Sequence, residues 1–460
     1  MADYNSGDIS FVLLSTALVW FMIPGVGYFY SGISRQKNAL SLIMLSVLSV
    51  AVVSFQWFFW GYSLTYGKDS GPYIGNLRNA FLIYVEKIKI GQDSSITDMT
   101  FAIYQCMFAA ITPALAIGSA AERGRIFPAI FFFFIWSTLV YDPIAHWTWS
   151  QDGWGKKLGI LDFAGGTPVH ISCGAAALAY CLILGKRHQE DHEEFRQHNI
   201  SHTVLGTVML WFGWFGFNGG SALAAGPQAV NAYTVTNLSA SVGGLTWMAM
   251  DFRVERKLST IGFCCGAIAG LVVITPGAGY VSPSSSIAFG FIGGFFCNLA
   301  TNIKHWFDFD DAMEVFPVHC VGGIIGNILT GIFAQKSIAA LDGRLEIDGG
   351  LLDGNWKQIV YQIAGSCAGL AYSFSITYII LFIMDRVPGF SLRVKKENET
   401  SGLDKTEIGE SAYDFVDEVI LLNTRTQRER VQPEPSNQET SINERGVEVV
   451  QNRSSAFKEN

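Results

Sequence analysis

The chain is poor in charged residues, which make up 15% of its 460 positions, whereas soluble domains carry about 25%. It also has no basic excess, because 39 acidic residues outnumber 31 basic ones and give a net charge of -8. The low fraction of charged residues argues against a soluble enzyme or an intrinsically disordered interaction protein. The net negative charge argues against a protein that binds the phosphate backbone of nucleic acids. We therefore predict neither an enzyme nor a nucleic-acid partner.

Cysteine patterns typical of disulfide frameworks or zinc sites are also missing. We interpret the cysteines as small apolar packing residues and predict no metal and no cofactor. A loose group of His188, His192 and His198 is the alternative metal site, but it lies among acidic residues without a second group, which favours a solvated loop. The eight cysteines all lie in apolar stretches, at positions 106, 173, 181, 264, 265, 297, 320 and 367.

The sequence does contain long runs without Asp, Glu, Lys or Arg, and a membrane-spanning helix needs about 20 apolar residues. Two runs, 197–250 and 258–303, are long enough for two helices each, with breaks at 218–220 and 276–283. Seven single helices plus these four predict an all-α polytopic membrane protein with eleven transmembrane helices. The single runs are 9–34, 38–67, 99–121, 126–151 (interrupted only by Asp142), 163–185, 315–335 and 358–384.

Short loops with many basic residues give the predicted orientation. The loops 33–38, 121–125, 186–199, 251–257 and 302–314 together hold eleven Lys and Arg residues. The positive-inside rule places them in the cytoplasm, so the N-terminus is expected outside and the C-terminus inside. No basic segment precedes the first run, which we therefore interpret as a retained helix rather than a signal peptide.

The composition changes near residue 388 and divides the chain in two. Residues 1–387 form the predicted transmembrane transporter domain. Residues 388–460 are rich in Glu, Asn, Ser, Gln and Arg, which predicts a cytoplasmic tail, disordered beyond about residue 425. Its first half, as far as Tyr413, is a candidate for docking on the helix bundle or for a regulatory contact with a kinase or another cytoplasmic partner.

An internal repeat places two histidines at matching positions inside apolar runs. The stretches from Asp162 to His170 and from Asp311 to His319 both read D-x5-P-V-H and are followed by a glycine four residues later. The predicted helices in the later part of the chain outnumber those in the earlier part by one. This count predicts two five-helix repeats, in inverted orientation, plus one extra helix. Such repeats place a substrate path near the middle of the membrane.

Histidines at membrane depth are costly and usually functional, so the matched pair predicts a shared pore role. Facing imidazoles can bond each other and a small polar solute. Three alternatives stay open on the residues alone. They are a proton-coupled transporter of another metabolite, a sensor that signals through 388–460, and an intramembrane metal enzyme.

Specific motifs resemble the ammonium transporter (Amt/Mep/Rh) family, particularly its fungal permeases. They cover about residues 9–415 and are Asp162–Gly166 with His170, Phe215–Ser221, Ala121–Arg123, Asp310 and Asp311 with His319, and Gly409 and Glu410 with Tyr413. The resemblance implies eleven helices, an outer N-terminus, a five-plus-five inverted repeat, a homotrimer with one pore per subunit, and a place in the plasma membrane. It implies transport of ammonium and methylammonium for nitrogen uptake, with ammonium sensing as a further expectation.

The resemblance also implies roles for individual residues. Trp149 and Ser221 resemble the outer recruitment site, and Phe108 with Phe217 resembles the aromatic gate beneath it. His170 and His319 resemble the twin histidines of the pore, and Asp162 resembles the buried acid near the recruitment site, which has an indirect role. The resemblance thus implies that His170, His319 and Asp162 belong to the pore and its proton relay.

Three positions depart from what is common in that family. The chain has Glu314 where Asp is common, Cys320 where Gly often follows the second histidine, and Asp142 inside the fourth run. We attach no predicted role to them.

Overall fold

The computed structural model describes residues 4–85, 95–188 and 197–413, where the regular structure is helical apart from one isolated β-bridge between Gly124 and Arg393. The longer helical segments are α1 (Ser6–Ile33), α2 (Gln36–Tyr66), α3 (Asp98–Ala120), α4 (Ile126–Leu158), α5 (Gly166–Leu184), α6 (Ile200–Gly220), α7 (Pro227–Glu255), α8 (Thr260–Ile274), α9 (Pro283–Trp306), α10 (Phe316–Phe333) and α11 (Lys357–Met384).

Nine of these helices, within the described ranges, are long and apolar enough to cross a membrane. The two others are α7, which carries many polar side chains, and α8, which has 15 residues. The two long uncharged runs are each split into two helices close to the predicted breaks, so this part of the prediction is confirmed. That all eleven helices cross the membrane stays a prediction.

Local sequence explains where several helices begin. Asn5, Thr97 and Asn199 are N-caps whose side chains accept hydrogen bonds from backbone N–H groups of the first turn, which otherwise have no partner. Pro227 and Pro283 occupy first helical positions, where the missing proline N–H costs nothing.

Four of the membrane-length segments contain a π-helical turn. Two interrupt α2 and α4, at Trp57–Gly61 and Ser137–Tyr141. The others open α5 and α10, at Gly166–Ile171 and Phe316–Val321, and each of these contains one repeat histidine. Such turns often occur at functional sites because they redirect side chains that a regular helix would space differently.

Helix α1 packs closely along α6. A Cβ added at Gly206 would lie 2.3 Å from the backbone nitrogen of Phe29, and one at Gly25 would lie 2.9 Å from the Met209 Cβ. Small residues therefore let the two backbones approach, as is typical of helix contacts in membranes.

The basic loops meet at one end of the bundle. Glu122 pairs with Arg35 at 2.9 Å and with Arg187 at 3.2 Å, and Arg187 also bonds both carboxylate oxygens of Asp310 at 2.8 Å. Four of the five loops that were expected to share one side are thereby joined. At the other end, the Ala225 N–H donates to Asp8.

The first part of the predicted tail docks on these loops. The Asp404 carboxylate accepts the N–H groups of Leu40 and Ser41 at 2.9 and 2.8 Å, at the start of the main part of α2. Glu399 pairs with Arg393 and accepts the His188 N–H. The expectation of docking is met for these residues, the predicted boundary at 387 remains a prediction, and the disorder predicted beyond about 425 concerns residues outside those described.

Candidate functional site

The two repeat histidines face each other in the interior of the bundle. Their Nδ1 atoms are 3.3 Å apart and their ring centroids 5.4 Å apart. His170 is 1% and His319 5% exposed. A neutral imidazole offers one donor and one acceptor, so one Nδ1–H donates to the other Nδ1. The structure thus joins two residues that lie 149 positions apart.

Matching carboxylates hold the two turns that carry the histidines. Asp162 accepts the backbone N–H groups of Gly165, Gly166 and Thr167 at 2.7 to 2.8 Å. In the second repeat, Asp311 accepts the N–H of Phe316 at 2.7 Å. Both acids therefore satisfy backbone donors that a helix start leaves free, and Asp162 acts on the site through the backbone rather than by pointing at the histidine pair.

Glycines let the two histidine turns cross. A Cβ at Gly174 would lie 2.4 Å from the Cys320 backbone nitrogen, and one at Gly323 would lie 2.9 Å from the Gly166 carbonyl oxygen. Cys320 itself is fully buried at this crossing.

A stacked aromatic pair lies next to His170. The rings of Phe108 and Phe217 are 4.2 Å apart at an interplanar angle of 28°, and both side chains are buried. The Phe217 ring centroid is 6.0 Å from that of His170. The stacked pair therefore lies directly beside His170.

Trp149 and Ser221 contact this pair and are partly exposed. The Trp149 ring meets Phe108 edge-on at 6.0 Å, and its Nε1–H donates to the Asp162 carbonyl oxygen at 3.0 Å. Ser221 donates to the Phe217 carbonyl oxygen at 2.9 Å. The four aromatic and hydroxyl residues singled out in the sequence thus form one continuous group.

Two further residues belong to this group but were not predicted from the sequence. Trp214 stacks on His170 with centroids 5.4 Å apart, and its Nε1–H donates to Thr275 at 2.9 Å. The Tyr104 hydroxyl lies 2.9 Å from the Phe217 carbonyl oxygen and 3.3 Å from the Ser221 hydroxyl. Their spacing offered a signal, because Trp214 precedes Phe217 by three residues and Tyr104 precedes Phe108 by four, which places each pair on one helix face.

A small cavity lies beside His319. Its walls are largely apolar, with the carboxylate of Glu314 as an exception. The remaining lining comes from α1, α3, α6, α8, the segment before α10 and α10 itself, and consists of Val26, Phe29, Tyr30, Leu115, Leu210, Trp214, Cys265, Ile268, Met313 and Val318.

Asp142 lies apart from the histidine pair and contacts α2. It is fully buried and accepts a hydrogen bond from the Gln56 side chain at 2.7 Å, with the Thr65 hydroxyl at 3.4 Å. The partnered carboxylate explains how α4 continues through a charged residue.

No cluster of three or more potential metal ligands occurs among residues 4–85, 95–188 and 197–413. The alternative metal loop is tested only in part, because His192 lies outside those ranges.

Comparisons with known proteins agree on one family. The chain matches the Ammonium Transporter Family over residues 10–413. It is 53% identical over 415 residues to Ammonium transporter 1 of Schizosaccharomyces pombe, covering 90% of this chain and 84% of the relative. It is 44% identical to Ammonium transporter MEP2 of Saccharomyces cerevisiae, covering 92% and 88%. The crystal structure of Candida albicans Mep2 superposes with a TM-score of 0.81 at 47% identity, covering 86% of this chain and 88% of that one.

Proposed function

Because this chain belongs to the ammonium transporter family, we propose that it carries ammonium across a membrane by removing a proton from the ion and passing neutral ammonia along His170 and His319. The chain is a multi-pass membrane protein of a family of transporters, not enzymes, and its relatives include fungal ammonium transporters. The observation that carries the proposal is the buried contact between the two imidazoles, 3.3 Å apart at Nδ1.

The energy of a bare ion favours this route. Moving a small cation into a low-dielectric interior costs on the order of tens of kcal/mol. An aromatic face offsets about 2 kcal/mol of that cost, which is enough to concentrate the ion at an entrance but not to carry it through. Removing a proton from an amine with a pKa of about 8 to 10 costs roughly 1–5 kcal/mol at neutral pH. Deprotonation is therefore the cheaper path.

We assign the entrance to the aromatic group. Trp149 and Ser221 are partly exposed and suit a cation that needs a π face and an acceptor oxygen. Phe108 and Phe217 form the gate beneath them, because their stacked rings close the way to His170. Ammonium is held at the first pair, and ammonia passes the second.

Beyond the gate, the imidazoles supply the polar contacts that ammonia needs. A lone pair of ammonia accepts from an imidazole N–H, and an ammonia N–H donates to an unprotonated ring nitrogen. Sodium and potassium have no proton to lose and would need many oxygen ligands to replace their water. The largely apolar lining around His319 does not suit them.

The proton travels separately in this proposal. The histidine pair forms part of a relay, and Asp162 holds the His170 turn in place by accepting three N–H groups. One positive charge then crosses per ammonia molecule, so transport is electrogenic.

The proposed assembly follows the family resemblance. Eleven helices in a five-plus-five inverted repeat plus one cross the plasma membrane, with the N-terminus outside and the C-terminus inside. Three copies form a homotrimer with one pore each, and the protein serves nitrogen uptake, with methylammonium as a second substrate. The joined basic loops support a common cytoplasmic end. Sensing, and a kinase or regulator at the tail, belong to the same proposal.

The test is uptake into proteoliposomes that contain the purified protein. His170→Ala and His319→Ala are each expected to lower ammonium-evoked current and methylammonium uptake about tenfold or more. Each variant removes one hydrogen-bond partner of ammonia and one group that carries the proton. His305→Ala, at an exposed position, is the matched control and is expected to transport like the parent. Uptake without any current would contradict the electrogenic step, and unchanged uptake in both pore variants would contradict the pore assignment.

A further inference from the structure

Residues 70–73, which we call the strap, follow α2 and are bonded to the part of α4 that carries Trp149. Each of the four strap residues forms one hydrogen bond to α4, and only one of these bonds involves a fully buried side chain, that of His146. Consecutive bonds of this kind fix a short segment against a helix. They join Ser70 to Asp152, Gly71 to His146, Pro72 to Trp154 and Tyr73 to Trp147, at 3.1, 2.9, 3.0 and 2.6 Å.

His146 bonds two backbone carbonyl groups with its two ring nitrogens. Its Nε2 atom lies 2.9 Å from the Gly71 carbonyl oxygen, and its Nδ1 atom lies 2.8 Å from the Thr65 carbonyl oxygen. A carbonyl oxygen only accepts, so each ring nitrogen needs a hydrogen of its own, whereas a neutral imidazole carries only one. The side chain is 0% exposed, so water does not replace either bond. The geometry therefore calls for the doubly protonated, positively charged ring.

Asp142 supplies the opposite charge. It precedes His146 by four residues, which places both side chains on one face of α4, and it is also 0% exposed. Thr65 bonds both groups, because its hydroxyl donates to Asp142 at 3.4 Å and its carbonyl oxygen accepts from His146. In the described parts of the chain, no Lys or Arg pairs with Asp142. A buried charge without a counter-charge is costly, so each group balances the other.

No other titratable group bonds the His146 ring among the residues that the structure describes. Asp152 accepts from the strap and pairs with Lys157 at 3.6 Å, and the two charged residues just before the strap, Lys68 and Asp69, are exposed. Asp142 is therefore the acidic group that governs the charge of this ring. The titratable side chains on the segments packed against the turn are Tyr62, Tyr66, Tyr141, Lys156, Lys157 and His170.

The turn that His146 fixes also carries Trp149. The His146 carbonyl oxygen accepts the Ser150 N–H at 3.1 Å, and the regular helix ends there. Trp149 projects from this last turn and meets the Phe108 ring edge-on at 6.0 Å. A cation is attracted to an aromatic face only within about 6 Å of the ring centre. A small displacement of the turn therefore changes how well the indole can hold a cation.

We propose that His146 is a buried imidazolium, balanced by Asp142, and that it positions Trp149 at the entrance by bonding the strap to α4. This inference rests on the proposed function, because it takes Trp149 as part of the entrance for ammonium. His146 is a positioning residue that binds neither ammonium nor the transported proton. One N–H group holds the end of α2 at Thr65, and the other holds the strap at Gly71.

The charge of the ring is measured directly by nitrogen NMR on the full-length protein in lipid, with isotope-labelled histidine. The measurement is made at about pH 8, where an ordinary histidine is neutral. The signals of His146 are assigned by their loss in His146→Gln. Both ring nitrogens are expected to carry a hydrogen in the parent. In Asp142→Asn, which keeps His146, one nitrogen is expected to lose its hydrogen, because burial disfavours a charge that nothing balances.

The positioning role is measured by methylammonium uptake into proteoliposomes. His146→Gln is expected to raise the KM about tenfold, which corresponds to the loss of most of a cation–π contact. The maximal rate per folded protein stays near that of the parent, because the gate and the histidine pair are unchanged. Adding Asp142→Asn to His146→Gln causes no further rise, because Asp142 acts through the imidazolium. His305→Gln makes the same chemical change at an exposed position and is the matched control.

Three results would overturn the inference alone: a neutral ring in the parent, a ring unchanged by Asp142→Asn, and a His146→Gln protein with the KM of the parent. The NMR of the parent and of Asp142→Asn decides the matter even if His146→Gln does not fold. A parent that has the doubly protonated ring but moves neither ammonium nor methylammonium would overturn the proposed function, and with it the role of the turn at the entrance. The charge assigned to His146 would then stand.

Discussion

At the scale of the residue, buried polar groups are held by several partners at once. Asp162 accepts three backbone N–H groups, and Trp214 both stacks on His170 and donates to Thr275. The sequence predicted the histidine pair and its aromatic neighbours because they lie in recognisable motifs. It did not predict the cap geometry of Asp162 or the stack of Trp214, because these depend on backbone direction and on contacts between distant helices.

Removal of the Asp162 carboxylate is expected to destabilise the protein. Hydrogen bonds to a charged group contribute about 1.5–3 kcal/mol each, so Asp162→Ala should lower the free energy of unfolding by several kcal/mol. Asp162→Asn, which keeps one acceptor oxygen, should lose less. Thermal unfolding in detergent checks this, with Asp348→Ala at an exposed position as the control. Equal melting temperatures for Asp162→Ala and the control would refute the capping role.

At the scale of the element, hydropathy located the helices but not their internal irregularities. The breaks at 218–220 and 276–283 lie at or next to observed helix ends, and α4 runs through Asp142 because Gln56 bonds the buried carboxylate. The π-helical turns that carry His170 and His319 were not predicted. Apolar runs measure side-chain composition, whereas a π turn is a change in backbone hydrogen bonding that composition does not record.

A larger residue at the α1–α6 crossing is expected to force the helices apart. A Cβ at Gly206 has no room beside the Phe29 backbone, and overpacking of this kind costs about 1–3 kcal/mol. Gly206→Leu should therefore lower the melting temperature in detergent and reduce the yield of folded protein. Gly71→Ala is the matched control, because nothing lies within 4 Å of a Cβ added there. Equal melting temperatures for the Gly206→Leu and Gly71→Ala proteins would show that the contact between α1 and α6 accommodates the larger side chain, which would contradict the prediction.

At the scale of the whole molecule, the repeated sequence pattern explains why two residues far apart in the chain could be predicted to share one site. The shared D-x5-P-V-H pattern placed His170 and His319 at matching positions, and matching positions of the proposed inverted repeat are expected to meet near the middle of the membrane. No such symmetry applies to residues 388–412. Their contacts with α2 and the basic loops depend on individual side chains such as Asp404 and Glu399, so the sequence supported docking only as one of several options.

Loss of the Asp404 contacts is expected to release the docked segment. Asp404→Ala removes two charge-assisted hydrogen bonds to the N-terminal end of the main part of α2, which contribute roughly 1.5–3 kcal/mol each. Limited proteolysis should then cut the segment 396–408 faster than in the parent. Glu397→Ala, at an exposed position of the same segment, is the control, and equal cleavage rates in the two variants would contradict the prediction.

The direct contact between the two Nδ1 atoms has a consequence for the proposed transport cycle. Only a single hydrogen fits between facing nitrogens at 3.3 Å, so at any moment one ring is the donor and the other the acceptor. The pair therefore has two arrangements that are mirror images in donor direction. In the proposed relay, a proton that hops along the pair reverses its donor direction, and the same hop cannot recur until the first arrangement is restored. The proposed relay therefore requires one reorientation of the imidazole pair in every turnover.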